Sequence, residues 1–276
     1  MLERILYSSL LKINPEKRKV YDCFTFFNEI ELLELRFNEL YDHVDKFVLV
    51  EANKTFQSVS KPLYFMQHQA RFQPFLDKVI HVIVDDLPVS TDAMKNERHQ
   101  RNSILRGLSS CQVYDVVIVS DVDEIPSISV INYYKENHLY GIKRLDQKLY
   151  YYFLNNLVNN AWRLAFMGSY GAIKNKDLDR IRKTKPNPKK TLPEAGWHFS
   201  FMGGIDSIIQ KIEAFAHVEF NTERYKERDW LLQCLQNGDD LFARKNQSYQ
   251  WVTVDESFPQ YIVHNLDYYK QLGWIR

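Results

Sequence analysis

The stretch DVVIVSDVDEIP, Asp115–Pro126, decides how the rest of the chain is read. Val116 to Val119 are a continuous β-branched run, the pattern of a strand covered on both faces of a parallel sheet. Ser120, Asp121, Asp123 and Glu124 follow at its carboxyl end, where open α/β sheets hold their ligands. Two aspartates one residue apart at that level suit a hard cation, which takes oxygen ligands. An acidic strand exit, turned by Pro126, accounts for the same residues with no ligand at all.

Towards the amino end, strands and helices alternate. YDCFTFF (21–27) reads as a strand and IELLELRFNELYDHV (30–44) has apolar residues at helical spacing. DKFVLVEA (45–52) is a second strand, 66–76 a helix, and KVIHVIV (78–84) a third strand closed by DDLP. MKNERHQRNSILRGLS (94–109) reads as a helix ending near Gly107, and the opening stretch supplies the fourth strand. Such alternation predicts an α/β fold whose mostly parallel central sheet is built by right-handed crossovers and flanked by helices.

Beyond Pro126 the alternation loosens. SISVINYYKEN (127–137) reads as a helix, and QKLYYYFLNNLV (147–158) and AWRLAFMGSYGAI (161–173) as β-segments. KDLDRIRKTKPNPKK (176–190) is basic and contains proline, so a mobile surface loop is expected, the nearest thing to a hinge. GWHFSFMGG (196–204) is a strand ending in a turn, IDSIIQKIEAFAHVEF (205–220) an amphipathic helix, and ERYKERDWLLQCLQNG (223–238) a helix closed by Gly238. No internal repeat or clear linker divides the chain.

Composition excludes more than it identifies. The 276 residues carry 36 basic and 35 acidic side chains, net +1, which gives no case for nucleic acid or an anionic membrane as partner. An aromatic content of 14% fits a well-packed enzyme, and equally a site with platforms for sugars or bases. Cys23, Cys111 and Cys234 are scattered and odd in number, so a reducing compartment is expected. The first residues, MLERILYSSLLKINPEKRK, have no uninterrupted apolar core, and no later segment reaches the roughly 18 apolar residues of a span. The expectation is no signal peptide, no membrane span and a cytoplasmic location.

Further candidates gather around the acidic pair. Arg98, Arg101 and Asn102 sit on the helix before it, as ligand-reaching residues or as a solvated basic face. Glu29 and Glu51 end the first two strands at the level of Asp121, where acids bind a ribose or base, or simply line a loop. In PEAGWHFSFMGG (193–204), Gly196 permits close approach, Trp197 offers a flat apolar face, and Glu194 and His198 are titratable. His217 and Glu219 follow in FAHVEFN. Haloacid dehalogenase-type phosphatases carry DxDx[TV] after their first core strand. Here the pair follows a fourth strand, and Ile125 stands where a hydroxyl or Val belongs.

FFNEIELLELRFNELYDHVDKFVLVEANKTF, KPLYF, QRNSILRGL, VSDVDEIP, AGWHFSFMGG, KIEAFAHVEFN and DLFAR, in that order over residues 20 to 265, resemble glycosyltransferase family 17. The resemblance implies a single GT-A-type, Rossmann-like domain over 1–276. Residues 1–126 would be its nucleotide-sugar-binding half and 127–276 a mixed acceptor and catalytic half. It further implies Mn2+ or Mg2+, a UDP-GlcNAc donor, a glycan acceptor and inversion at the anomeric carbon. On that reading Asp121 and Asp123 hold the metal, one of them directly or both. Asn28, Glu29, Glu51, Arg98, Arg101, Asn102 and Asp121 line the donor site. An inverting transfer needs a general base, for which Glu194 is the first candidate and Asp206 the second, although Asp206 also reads as a helix N-cap. Trp197 and His198 are candidates for the acceptor side, His198 also for the metal or diphosphate. A sugar-nucleotide- or glycan-binding module without catalysis and a metal-dependent phosphoesterase remain as alternatives.

Overall fold

A computed structural model describes residues 18–276 except 89, 91, 138–140, 245 and 246, so residues 1–17, where no signal peptide is expected, lie outside the described residues. The four apolar runs become four parallel strands, β1 (Val20–Phe26), β2 (Lys46–Ala52), β3 (Val79–Val84) and β4 (Val116–Asp121). They lie in the order β4-β1-β2-β3. The chain builds outward from β1 to β3, then crosses back to lay β4 on the other side of β1. The strand order therefore reverses between β1 and β4, and a crevice opens beyond their carboxyl ends. The register pairs Thr25 with Asp121, which places the acidic residues at that crevice.

Helix α1 (Ile30–Leu40) buries Leu32, Leu33, Leu35, Phe37 and Leu40 against the sheet. The helix expected over 66–76 is instead a short α2 (Tyr64–Gln67) followed by a 3-10 turn, Gln69–Phe75, that contains Pro74. Proline has no N–H to donate and disfavours continuation of the α-helix before it. Helix α3 (Ala93–Asn102) starts at Asp92, whose carboxylate accepts from Met94 N at 3.1 Å, and tightens into a 3-10 turn over Ser103–Leu108.

After β4 the chain changes sheets. Val122 and Asp123 form the corner, and β5 (Glu124–Pro126) joins a second sheet ordered β12-β8-β7-β11-β5. Its other strands are β7 (Gln147–Tyr151), β8 (Asn156–Trp162), β11 (Gly196–Ser200) and β12 (Tyr249–Trp251). Three more strands, β6 (Ile142–Leu145), β9 (Phe166–Ser169) and β10 (Thr191–Leu192), return to widen the first sheet to seven strands, with β9 antiparallel to β4. β11 runs antiparallel to β5 with His198 opposite Glu124 and Gly196 opposite Pro126. That approach is close: a Cβ on Gly196 would sit 2.1 Å from the Ile125 carbonyl oxygen.

Helices α4 (Ile128–Glu136) and α5 (Tyr170–Ile173) precede the largest departure from expectation. The basic stretch read as a mobile loop contains α6 (Leu178–Lys183), which is capped by Asp177 and buries Leu178, Asp179 and Arg182. It was missed because its inward face is largely charged, so no apolar period marks it. Helix α7 (Gly204–Ala214) is entered through Gly203 at φ 93 and ends six residues earlier than expected. The predicted 223–238 helix splits at Glu227 into α8 (Glu223–Lys226) and α9 (Arg228–Asn237), closed by Gly238. Helices α10 (Gln260–His264) and α11 (Leu266–Gln271) carry no clear pattern in the sequence. No helix among the described residues is long and apolar enough to cross a membrane.

Candidate active site

Asp121 is gripped from both sides. Thr25 Oγ1 and Arg101 Nη1 donate to its Oδ1 at 2.6 and 2.5 Å, and Arg182 Nη2 donates to Oδ2 at 2.6 Å. Arg182 also forks onto Glu124 at 2.7 and 2.6 Å, while the Trp162 indole N–H donates to Glu124 as well. Arg101 is braced by Glu97 at 3.0 Å and Asp179 at 3.4 Å. Burial pushes the Asp121 carboxyl up, but Arg101 and Arg182 outweigh it and hold it well below the usual carboxylate range.

Asn102 explains why Arg182 is present at all. Its Oδ1 accepts from Leu178 N at 2.7 Å and its Nδ2 donates to Asp177 at 3.1 Å, which seats the first turn of α6 on the end of α3. The Arg-Asn pair of QRN thus clamps Asp121 directly and mounts the helix that clamps it again. From beneath, Arg36 of α1 has no exposed surface and uses its whole donor fork. It bonds Asp22 at 2.7 and 2.6 Å, Ser120 Oγ at 2.7 Å, and the carbonyls of Asp121, Val122 and Glu124 at 2.9, 3.2 and 2.9 Å. Those carbonyls are the corner between the sheets, so Arg36 sets its shape.

Asp123 faces the other way. Its Oδ2 lies 2.7 Å from Lys211 Nζ of α7 and 3.4 Å from His198 Nε2 of β11. His198 packs on Trp162 with ring centroids 4.4 Å apart, and its Nδ1 is buried without a hydrogen-bond partner among the described residues. Burial raises the Asp123 carboxyl, yet Lys211 and His198 bring it far below the ordinary value. Lys211 Nζ also stands 3.7 Å from Glu29 Oε1. Beside it opens a cleft of about 410 Å³ between the β1–α1 turn, the α7 face carrying Gly204, Ser207 and Lys211, and the aromatic side chains of Tyr152, Phe153 and Trp274.

The residues singled out in the sequence scatter across this frame. Asn28 and Glu29 line the cleft, Asn28 donating to Gln210. Glu51 is fully buried behind it, 3.4 Å from Lys61 and 3.2 Å from His81. Arg98 points outward into an ion pair with Asp177. Strand alternation turns Trp197 to the face opposite His198, and its indole N–H donates to Ser257 O at 3.0 Å. Phe199 N donates to Asp123 O at 2.9 Å, so that end of β11 meets the corner. Glu194 lies in the turn before β11, five residues back from Phe199, exposed and at φ 49. Asp206 is 84% exposed and pairs with Arg228; Gly203, not Asp206, stands at the helix cap. His217 and Glu219 pair with each other on the surface at 2.8 Å.

Arg36, Arg182 and Lys211 escaped the sequence reading. Arg36 interrupts an otherwise apolar helical face, which was the one local sign available; Arg182 and Lys211 sit among other surface-type charges. Among the described residues no three of His, Cys, Asp and Glu are grouped to hold a metal by themselves. A hard cation shared with phosphate oxygens needs only one or two protein ligands, and Asp123 with His198 is such a set.

The order of the four parallel strands reverses beside the acidic corner, which is where open α/β sheets bind their ligands. Residues 9–270 match glycosyltransferase family 17, and the chain belongs to that family. Its relatives include the β-1,4-mannosyl-glycoprotein 4-β-N-acetylglucosaminyltransferases of Rattus norvegicus and Homo sapiens. Each is 34% identical over 121 residues, a match spanning 40% of this chain and 22% of the relative. Among solved structures, a mannosyltransferase from Pyrobaculum calidifontis in complex with GDP-Man and Mn2+ is similar at TM-score 0.38 and 12% identity, over 97% of this chain and 76% of that one. Glucosyl-3-phosphoglycerate synthase from Mycobacterium tuberculosis gives TM-score 0.37 and 11% identity, over 92% and 94%.

Proposed function

We propose that the chain is an inverting glycosyltransferase that moves a sugar, GlcNAc from UDP-GlcNAc in the first instance, onto a glycan hydroxyl with Mn2+ or Mg2+. The observation that carries this reading is Asp123: in a family 17 chain, one carboxylate of the acidic pair is joined to Lys211, whose side chain lines a cleft beside the switch point. Asp123 and His198 are the protein ligands the cation would share with the donor's diphosphate. Bound there, it would supply Lewis-acid stabilisation of the leaving diphosphate.

The chain's own groups divide the remaining work. Lys211, on the same carboxylate, is placed to donate to a diphosphate oxygen. Asp121 has both oxygens committed to Thr25, Arg101 and Arg182, so we assign it to holding the corner and not to the metal. Asn28 and Glu29 remain on the cleft wall, while buried Glu51 supports that wall through Lys61. Glu194 and Asp206 are not among the residues lining the cleft, which argues against either as the base. The relatives' mannosyl-glycoprotein acceptor is the first acceptor class to try.

The test is a panel of UDP- and GDP-sugars assayed for nucleotide release with Mn2+ and with chelator. Metal-dependent release from UDP-GlcNAc above all others supports the reading. UDP binding without any release from any sugar makes the chain a binding module. Phosphate release from a model ester, indifferent to UDP-sugars, makes it a phosphoesterase.

A further inference from the structure

The cleft beside Asp123 contains a carboxylate suited to a different task from metal binding. Two glutamates line it, Glu29 and Glu31. Glu31 is spent: Arg71 donates to its two oxygens at 2.7 and 2.5 Å, and Tyr268 Oη adds a bond at 2.8 Å. Glu29 is half free. Its Oε2 accepts from the backbone N–H groups of Phe27 and Asn28 at 3.2 and 3.1 Å, which fixes the carboxylate plane. Among the described residues its Oε1 has Lys211 Nζ at 3.7 Å, beyond hydrogen-bond length, and accepts no hydrogen bond, which leaves its lone pairs for a ligand.

The position of that oxygen is as informative as its freedom. One ammonium, Lys211 Nζ, lies between Glu29 Oε1 and Asp123 Oδ2. Lys211, placed for a diphosphate at Asp123, and Glu29 line the same cleft, so a hydroxyl bound in that cleft would lie beside Glu29. Tyr152, Phe153 and Trp274 give the opposite wall the partly apolar character that suits a sugar ring.

We propose that this cleft is the acceptor subsite and that Glu29 is the general base, an assignment that rests on the transferase reading. Glu29 Oε1 takes the proton of the acceptor hydroxyl. The acceptor's hydroxyl oxygen forms the new bond to the anomeric carbon as the bond from that carbon to the diphosphate oxygen breaks. The electron pair leaves on the nucleoside diphosphate, and the proton on Glu29 passes to water when product departs. Burial lifts the Glu29 carboxyl above its ordinary value while Lys211 pulls it down, and this brings it nearer to the range in which a base works. The charged groups facing it are Lys211 of α7, Asp123 of the corner and Lys61 of the loop after β2.

The experiment uses the full chain with Mn2+, UDP-GlcNAc as donor and water as the acceptor probe, read as UDP release. UDP affinity is measured separately by calorimetry. Glu29→Gln keeps an oxygen for the Phe27 and Asn28 N–H groups. It is expected to lower the maximal rate at least about 100-fold, to leave UDP affinity within about twofold, and to remove the acid limb of the pH–rate profile. Glu29→Asp is expected to retain that limb at a reduced rate, which a merely structural role would not produce. Release by Glu29→Gln within about threefold of wild type overturns the assignment. So does a loss confined to KM with weakened UDP binding, which would make Glu29 a donor contact. A wild-type chain that neither binds UDP nor releases it removes the transferase reading, and the base with it.

Discussion

Two carboxylates separated by a single valine live in opposite environments. Asp121 has both oxygens engaged, by Thr25 and Arg101 on one and Arg182 on the other, and the arginines are themselves tied to Glu97, Asp179 and Glu124. Asp123, itself buried, meets one ammonium and one imidazole, and that ammonium, Lys211, lines the cleft. A group gripped by two arginines holds shape, because any ligand would first have to break those charge-assisted bonds. Among the described residues the side chain of Asp123 meets cations through Oδ2 alone, so it has acceptor capacity left for a ligand. The DxD pair is therefore one positioning residue and one candidate ligand, not two equal ligands.

The strongest way to break this contrast is to attack the back of the corner. Arg182→Met strips the counter-charge from Asp121 and Glu124 at a site only 5% exposed, and is expected to cost about 3–5 kcal/mol in urea unfolding. A loss below 1 kcal/mol would show that the network is not what holds the corner. Asp123→Ala is expected to do the reverse, lowering UDP-sugar turnover about 1000-fold, some 4 kcal/mol of barrier, with the circular dichroism spectrum unchanged. Turnover near the wild-type rate would end its assignment to the metal. Asn102→Ala sits between the two. It frees α6, is expected to cost about 1 kcal/mol in stability, and weakens turnover only through Arg182.

The smallest effect is in pH. Asp121 and Asp123 both have carboxyls held below the ordinary value, burial opposing and their cations prevailing. A depressed carboxyl contributes stability that is fully present above its unfolded value of about 3.9 and is lost as pH falls towards its folded value. Melting temperature is therefore expected to begin falling below about pH 4, by a few degrees per pH unit. In Asp121→Asn that fall should be shallower. An equal slope in the variant would mean that other carboxylates dominate the acid limb.

Legibility divided along the same line as the two carboxylates. The strands were readable because a strand buried on both faces must be continuously apolar, as VVIV before Asp121 and FVLV before Glu51 are. The helix in 178–183 was not, because Arg182 and Asp179 satisfy one another's neighbours inside the fold and so leave no apolar stripe. QRN was singled out as a possible ligand contact, but its observed task is mechanical: Arg101 braces and Asn102 mounts. Glu29 and Glu51 looked equivalent at two strand ends, and packing alone turned one towards the cleft and sealed the other under Lys61.

By itself, the sequence determined the alternating strands and helices, the acidic corner after the fourth strand and the family resemblance, since each depends on contiguous residues and short periods. Tertiary structure alone decided which aspartate is gripped by two arginines and which pairs with the lysine of the cleft wall. Arg36, Arg182 and Lys211 reach that corner from 85, 61 and 88 positions away. A charge's partner is set by distance in space, and no local pattern encodes a contact whose two halves are so far apart along the chain.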